Sequence, residues 1–159
     1  MTASTLHPVE PPSLGTISGG AHRTAFRIYV EDTDAGGVVY HARYLHFCER
    51  ARTQFLASIG FGLSTLMNAR GNDYCAFVVR RADISYLQPA RLDDVLQAVT
   101  RVARLGGASI DFDQRLYRGD VEVASATIYV CCVGSDGRPR PMPDGMKSKI
   151  RETNRECDA

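Results

Sequence analysis

The chain has 159 residues, of which 44% are hydrophobic and 23% are charged. This length and composition suit one folded domain with a buried core and exclude an intrinsically disordered chain. Nineteen basic residues nearly balance eighteen acidic ones, giving a formal net charge of +1, so no nucleic-acid partner is predicted. No apolar run approaches the ~20 residues of a bilayer-spanning helix, so no transmembrane segment is expected.

Residues 1–22 contain three prolines and the Gly19-Gly20 pair, without the charged start and apolar middle of a secretory signal. We expect a flexible tail there, a single domain over residues 23–152 and a second tail over residues 153–159. The five cysteines include no C-x-x-C pair, so they predict neither a disulfide framework nor a zinc site. We expect buried, inert thiols, no metal or other cofactor, and a cytoplasmic location.

The first predicted strand covers residues 24–31, where Phe26, Ile28 and Val30 alternate with polar neighbours. A turn-rich stretch follows at residues 32–37. Residues 41–59 then have helical period, since apolar side chains recur every three or four positions at Leu45, Cys48, Ala51, Phe55 and Ile59. A glycine at position 60 ends this long helix, and a shorter helix is predicted near residues 63–69.

The second half of the chain is typical of antiparallel strands. Four are predicted, over residues 76–86, 95–105, 110–117 and 121–133, with a hairpin turn at Arg118-Gly119-Asp120. The last strand is so apolar that we expect it to be buried on both faces. A short helix is predicted near residues 146–151. The order of elements favours an α+β domain in which an antiparallel sheet of about five strands wraps around one long helix.

The segment from residue 31 to residue 44 contains the residues suited to chemistry. Asp34 follows the first predicted strand, and Gly36 and Gly37 leave space for a substrate carbonyl to approach. A helix beginning near His41 exposes unpaired N–H groups and a partial positive charge, which stabilise a developing oxyanion. One short segment thus supplies a carboxylate and an oxyanion site, as acyl transfer requires.

A thioester suits this equipment, because a thiol with a pKa near ~8.5 departs with little acid assistance. The carboxylate could attack the carbonyl itself or draw a proton from water, and the sequence leaves both routes open. Residues 32–53 closely resemble acyl-CoA thioesterases of the 4-hydroxybenzoyl-CoA thioesterase superfamily, above all the branch encoded beside the Tol–Pal envelope system; they read DTDAGGVVYHARYLHFCERART. A second stretch at residues 89–94, PARLDD, is similar to a loop of that family.

This resemblance implies a hotdog fold, in which an antiparallel sheet curls around a central helix. It implies that Asp34 is the essential carboxylate and that the backbone N–H of His41 polarises the thioester carbonyl. Tyr40 would shape the acyl pocket, and Gly36 and Gly37 would lie against the substrate. The implied substrate is an acyl-CoA or acyl-carrier-protein thioester. The implied assembly is a homodimer or homotetramer with sites between subunits.

Several alternatives stay open at this stage. Asp32 is a rival carboxylate, which we interpret as structural or solvated. Glu49 could act from the central helix, as in a second branch of the superfamily, but an ion pair with Arg50 or Arg52 is the simpler interpretation. The His41 imidazole could also hold Asp34 or a water molecule.

Two other functions use the same residues. A hotdog hydratase or dehydratase would need His41 and Asp34 for proton transfer, and a non-catalytic acyl-CoA-binding module would not need the Asp34 carboxylate. Coenzyme A phosphates require cations, for which the sequence offers four arginines as candidates, namely Arg80, Arg81, Arg101 and Arg104.

Overall fold

The structure is a computed structural model that describes residues 13–155. It contains six strands, β1 to β6, which are Thr16–Ser18, Ala21–Arg27, Ala76–Tyr86, Val95–Leu105, Ser109–Arg118 and Val121–Val133. It contains three α-helices, α1 to α3, which are His41–Ser58, Leu63–Asn68 and Met146–Arg155. Short 3-10 turns occupy Val30–Asp32 and Gly71–Asp73.

All six strands form one antiparallel sheet in the order β1-β2-β4-β5-β6-β3. Helix α1 packs on the inner face of this sheet, where it contacts β2 and β4. The predicted α+β arrangement of a sheet around one long helix is therefore confirmed. The sheet has six strands rather than about five, because the short strand β1 forms a hairpin with β2 upstream of the first predicted strand.

The first predicted strand is displaced along the chain. Strand β2 ends at Arg27, and Val30 lies in a 3-10 turn with 73% of its surface exposed, not on the same face as Phe26. The strand stops because the Asp32 carboxylate accepts a hydrogen bond from the Tyr29 N–H at 2.9 Å and bends the backbone. An alternating pattern cannot reveal a turn that a side-chain hydrogen bond creates.

The folded region also extends beyond the predicted boundaries at residues 23 and 152. His22, which the prediction placed in a tail, is fully buried in β2, and its Nε2 lies 2.6 Å from the Leu14 carbonyl oxygen. Burial lowers the pKa of this imidazole. Helix α3 continues to Arg155. Residues 1–12 and 156–159, which include His7 and Cys157, lie outside the described residues.

The core forms around the apolar stripe of α1. Cys48, Ala51 and Phe55 are buried as predicted, whereas Leu45 and Ile59 at the two ends of the stripe are half-buried. Aromatic rings join the helix to the sheet: Phe26 of β2 stacks on Phe47, and Phe55 meets Phe112 of β5 edge to face. Such pairs add about 0.5–1.5 kcal/mol each beyond the area that they bury.

Strand β6 was expected to be buried on both faces, and this is wrong for much of its outer face. Its inner residues are buried, but Ser125, Thr127 and Tyr129 on the outer face are only half-buried. The strand lies between β5 and the edge strand β3, and no second layer of the described residues covers that outer face. Its apolar composition reflects an interior position in the sheet. Among residues 13–155, no helix is long and apolar enough to cross a bilayer.

A buried polar network lies between α1 and the sheet. The Gln114 side-chain oxygen accepts a hydrogen bond from Arg52 at 2.7 Å, and its amide nitrogen donates to the Cys48 carbonyl and to the Thr100 hydroxyl at 3.0 Å each. Arg52 also pairs with Glu49 on the same helix. Gln114 thus satisfies polar groups that would otherwise be buried without partners.

We predict that Gln114→Leu, which keeps most of the volume but removes these hydrogen bonds, lowers the free energy of unfolding by about 2–4 kcal/mol. Urea denaturation followed by circular dichroism measures the change. The control is Gln97→Leu on the exposed outer face of β4, where we expect about 0.5 kcal/mol or less. Equal stability of the two variants would contradict the proposed importance of the network.

Candidate functional site

The site is built on Asp32, a buried residue that contacts the Arg43 side chain and the backbone of Tyr29 and Tyr40. Its Oδ1 accepts a hydrogen bond from Arg43 Nε at 2.8 Å and its Oδ2 accepts one from the Tyr29 N–H at 2.9 Å. Its backbone carbonyl accepts from the Tyr40 N–H at 2.9 Å. Asp32 therefore fixes the end of the first strand region against the first turn of α1. The structural interpretation of Asp32 is confirmed, and the solvated one is wrong.

Asp34 lies at the mouth of a tight turn that returns the chain toward α1. Its N–H donates to the Val38 carbonyl at 3.0 Å, and its carbonyl accepts from the Gly37 N–H at 3.0 Å. Gly37 adopts φ +71°, a left-handed conformation that favours glycine. The Gly36 N–H donates to Asp34 Oδ1 at 2.8 Å, and the Asp34 residue remains exposed. Gly36 therefore holds one carboxylate oxygen of Asp34, whereas Oδ2 has no hydrogen-bond partner among the described residues.

Helix α1 begins without a side-chain cap. Tyr40 occupies the N-cap position but makes no capping hydrogen bond through its side chain. The Arg43 N–H donates back to the Tyr40 carbonyl at 2.8 Å. Within residues 13–155, the N–H groups of His41 and Ala42 have no acceptor. These two donors, at the positive end of the helix dipole, are free to bind a negatively charged oxygen.

A groove of about 370 Å³ joins this helix start to Asp34. One wall comes from the turn and α1, and the other from the end of β3 and the loop after it. The lining residues are Asp34, Val38, Val39, His41, Tyr44, Tyr86, Leu87, Gln88 and Pro89. The groove combines an exposed carboxylate, a first-turn residue with an unpaired N–H, and apolar walls, which is the arrangement that acyl transfer requires.

Two tyrosines hold the walls together. The Tyr86 hydroxyl donates to the His41 carbonyl at 3.1 Å, and the Tyr44 hydroxyl accepts from the Ala90 N–H at 3.2 Å. Burial raises the pKa of Tyr44, so its hydroxyl stays neutral at physiological pH. The Val39 N–H also donates to the Ala90 carbonyl at 2.8 Å, which attaches the second wall to the segment before the helix.

The structure brings Asp34 and His41 into one groove, as the predicted arrangement requires. The other predicted site residues, Gly36, Gly37 and Tyr40, do not line this groove. The glycines shape the turn, and the Tyr40 ring packs edge-on against the His41 ring, with centroids 4.4 Å apart. Direct contact of these three residues with substrate stays a prediction.

The other candidate catalytic groups, the His41 imidazole and Glu49, have partners away from Asp34. No hydrogen bond joins the His41 ring to Asp34 in this structure; the ring packs between Tyr40 and Tyr86. A hydratase mechanism that couples this imidazole to the carboxylate therefore gains no support. Glu49 does not line the groove, and its predicted ion pair with Arg52 is confirmed.

The groove lining also contains none of the four arginines considered for phosphate binding, Arg80, Arg81, Arg101 and Arg104. Arg81 pairs with Asp83 at 2.8 Å and lies over the Tyr129 ring on the outer face of the sheet. Another cation, Arg118, contacts the groove wall: it donates to the Pro89 carbonyl at 3.0 Å and pairs with Asp94.

The cysteines of the described region are buried free thiols, as expected for Cys48 and Cys131. Burial raises the pKa of Cys48 to about 11, so this thiol is protonated at neutral pH. Nucleophilic chemistry at Cys48 is thereby disfavoured, and the Asp34 carboxylate is the better placed group.

Sequence reasoning missed the whole second wall of the groove, from Tyr86 to Pro89. Tyr86 appeared only as part of a predicted strand, and Tyr44 only as the last residue of the segment from residue 31 to residue 44. The single available signal was the family-like stretch that begins at Pro89. Side chains that meet across a fold from positions 45 residues apart leave no local pattern to detect.

Residues 28–150 match the family model described as the thioesterase-like superfamily, so the chain belongs to this superfamily. It is 48% identical over 116 residues to the acyl-CoA thioesterase YbgC of Haemophilus influenzae, covering 73% of this chain and 82% of that protein. It is 40% identical over 132 residues to the acyl-CoA thioester hydrolase YbgC of Escherichia coli O6:H1, covering 82% and 96%.

Solved structures agree with these sequence relatives. A probable thioesterase from Bartonella henselae superposes with a TM-score of 0.75 at 38% sequence identity. The match covers 77% of this chain and 99% of that one. The hotdog fold and the superfamily implied by the sequence resemblance are confirmed.

Substitutions of Asp32 and Asp34 are expected to change the free energy of unfolding by different amounts. We predict that Asp32→Asn lowers the free energy of unfolding by about 2–3 kcal/mol, because Arg43 loses its buried charged partner. Asp34→Asn, at an exposed site where the amide oxygen can still accept from Gly36, should change it by about 0.5 kcal/mol or less. Urea denaturation of both variants measures the difference, and equal losses would contradict the assigned structural role of Asp32.

Proposed function

We propose that this thioesterase hydrolyses acyl-CoA thioesters to the free acid and coenzyme A in the groove between Asp34 and the start of α1. The observation that carries the proposal is the shared groove, whose lining includes the exposed Asp34 and also His41, the residue at the helix start whose N–H is unpaired. The names of the similar YbgC proteins, acyl-CoA thioesterase and acyl-CoA thioester hydrolase, support the same substrate class.

In the proposed reaction, the thioester carbonyl oxygen accepts a hydrogen bond from the N–H of His41. The helix dipole and this donor stabilise the negative charge that develops on the oxygen. Asp34 either attacks the carbonyl carbon or takes a proton from the attacking water, and both routes need the same placement of the carboxylate. The C–S bond breaks, and the sulfur leaves as the thiolate of coenzyme A, which takes up a proton. Where Asp34 is the nucleophile, water then cleaves the acyl–Asp34 anhydride, which releases the free acid and restores the carboxylate.

We predict that Asp34→Asn lowers kcat for acyl-CoA hydrolysis by about 100-fold or more, since an amide can neither attack nor act as a base. A thiol-release assay measures the rate. The matched control is Asp120→Asn in the exposed β5–β6 turn, with no expected change in rate. A near-normal rate for Asp34→Asn, with the fold retained, would place the chemistry elsewhere.

The proposed active form is a homodimer joined through β3. This strand is 11 residues long and forms one edge of the sheet, so one side of its backbone has no strand partner among the described residues. Val78, Val79 and Tyr86 on this strand are each nearly half exposed. A long apolar edge of this kind is a template for pairing with another strand. A second copy on this edge would also cover the side of the groove that Tyr86 forms.

We predict that Val79→Glu in β3 shifts the protein toward monomer, because it places charge on the apolar edge that a second copy would cover. Size-exclusion chromatography with light scattering measures the mass. The control is Val121→Glu, which has a similar exposure at the far end of β6 and should leave the mass unchanged. A wild-type monomer, or a dimer that is unaffected by Val79→Glu, would contradict this interface.

A cytoplasmic location completes the proposal. It is supported by the cysteines of residues 13–155, which are free thiols and thus fit a reducing compartment.

A further inference from the structure

Tyr86 makes a contact that the proposed chemistry does not yet use. This residue ends strand β3, far along the chain from α1, yet its hydroxyl donates to the carbonyl oxygen of His41 at 3.1 Å. Its ring also meets the His41 ring edge to face at 6.3 Å and the Tyr44 ring at 5.5 Å. The His41 carbonyl in the opening turn of α1 is therefore attached to the opposite wall of the groove by the Tyr86 side chain.

The contacted carbonyl belongs to the same planar peptide unit as the Ala42 N–H. A hydrogen bond to the oxygen of a peptide unit polarises the unit and makes its N–H a stronger donor. Ala42 is one of the two residues of the first turn whose N–H has no acceptor among residues 13–155. The Tyr86 hydroxyl thus acts, through the peptide unit between them, on an unpaired N–H that directly follows His41, the first-turn residue that lines the groove.

We infer that Tyr86 is a positioning residue of the oxyanion site, where it orients the first turn of α1 and polarises the His41–Ala42 peptide. The inference rests on the proposed thioester hydrolysis at this groove. It adds the Ala42 N–H as a second donor beside the His41 N–H. It also assigns the orientation of the Ala42 N–H to the Tyr86 hydroxyl at the end of β3. Tyr86 does this without contacting the reacting atoms.

If the Tyr86 hydroxyl had only a structural role, its removal would lower the melting temperature of the protein. Tyr86 is nearly half exposed, and its ring contacts persist when only the oxygen is removed. Loss of this hydroxyl should therefore leave the melting temperature almost unchanged. Since the two N–H donors bind the charge that develops in the transition state, its loss should lower kcat more than it raises KM.

The test is Tyr86→Phe, which removes the hydroxyl alone. We expect kcat for acyl-CoA hydrolysis to fall about tenfold, less than the loss of a direct oxyanion donor, with KM within about twofold of the wild type. The matched control is Tyr117→Phe in β5, whose hydroxyl lies on the outer face 3.5 Å from Glu122 and away from the groove. That variant should keep the wild-type kcat.

The stretching frequency of the bound thioester carbonyl directly measures how strongly the amide donors polarise it. A ¹³C-carbonyl-labelled acyl-CoA bound to the Asp34→Asn protein should show a C=O stretch at lower frequency than in water, because the amide donors polarise the bond. Adding Tyr86→Phe in this background should move the stretch back toward its value in water. An unchanged stretch, or a rise in KM with kcat retained, would overturn the positioning role.

The outcomes separate the two proposals. If Asp34→Asn retains the wild-type rate, the proposed hydrolysis by Asp34 fails regardless of Tyr86. If Asp34→Asn is inactive while Tyr86→Phe has the wild-type kcat, only the role of Tyr86 fails. A tenfold loss for Tyr86→Phe that comes with a large fall in melting temperature and an unshifted carbonyl stretch also contradicts the inference, since it indicates a purely structural contact.

Discussion

The buried ion pair between Asp32 and Arg43 is the interaction on which the candidate site depends. Asp32 is almost fully buried, and it accepts hydrogen bonds from the Arg43 side chain and from the backbone of Tyr29. A buried carboxylate is tolerated only when such partners satisfy it. Because Arg43 lies in the first turn of α1, the pair sets where the helix begins relative to the preceding chain. The unpaired amides of that first turn and the Asp34 turn are thereby held on one side of the groove.

Asp32 and Asp34 show how two carboxylates two residues apart acquire different tasks. In an extended strand they would share one face, as the sequence suggested. The 3-10 turn over Val30–Asp32 breaks that alternation, so Asp32 faces the interior and Asp34 faces the groove. The difference comes from the partners: Asp32 has a guanidinium and a backbone amide, whereas Asp34 has one amide on Oδ1. Asp34, which can still accept hydrogen bonds at an open groove, is suited to act on a substrate. Asp32, whose oxygens are both paired, is suited to hold the surrounding backbone in place.

The sequence predicted what depends on local pattern. The long helix, the four later strands and their hairpin follow from periodicity and turn residues, and the structure reproduces them within one residue at each end. Asp34 and His41 were found together because one continuous motif contains both. The sequence did not reveal that β2 begins at Ala21 or that His22 is buried, because proline and glycine nearby are equally typical of a tail. The role of Tyr86 was invisible, since a hydroxyl that reaches a helix carbonyl across the sheet obeys no spacing rule.

Tyr86 also links the assembly of the protein to its proposed chemistry. It ends β3, the same edge strand whose exposed valines favour pairing with a second copy. An edge strand is the least constrained part of a sheet. The Tyr86 hydroxyl lies at the end of such a strand, so any motion of β3 also moves its contact with the start of α1. A second copy paired along β3 would restrict the edge and with it the His41–Ala42 peptide. On this view, dimer formation contributes to catalysis by ordering one subunit's own amide donors, even where the partner places no side chain near the thioester.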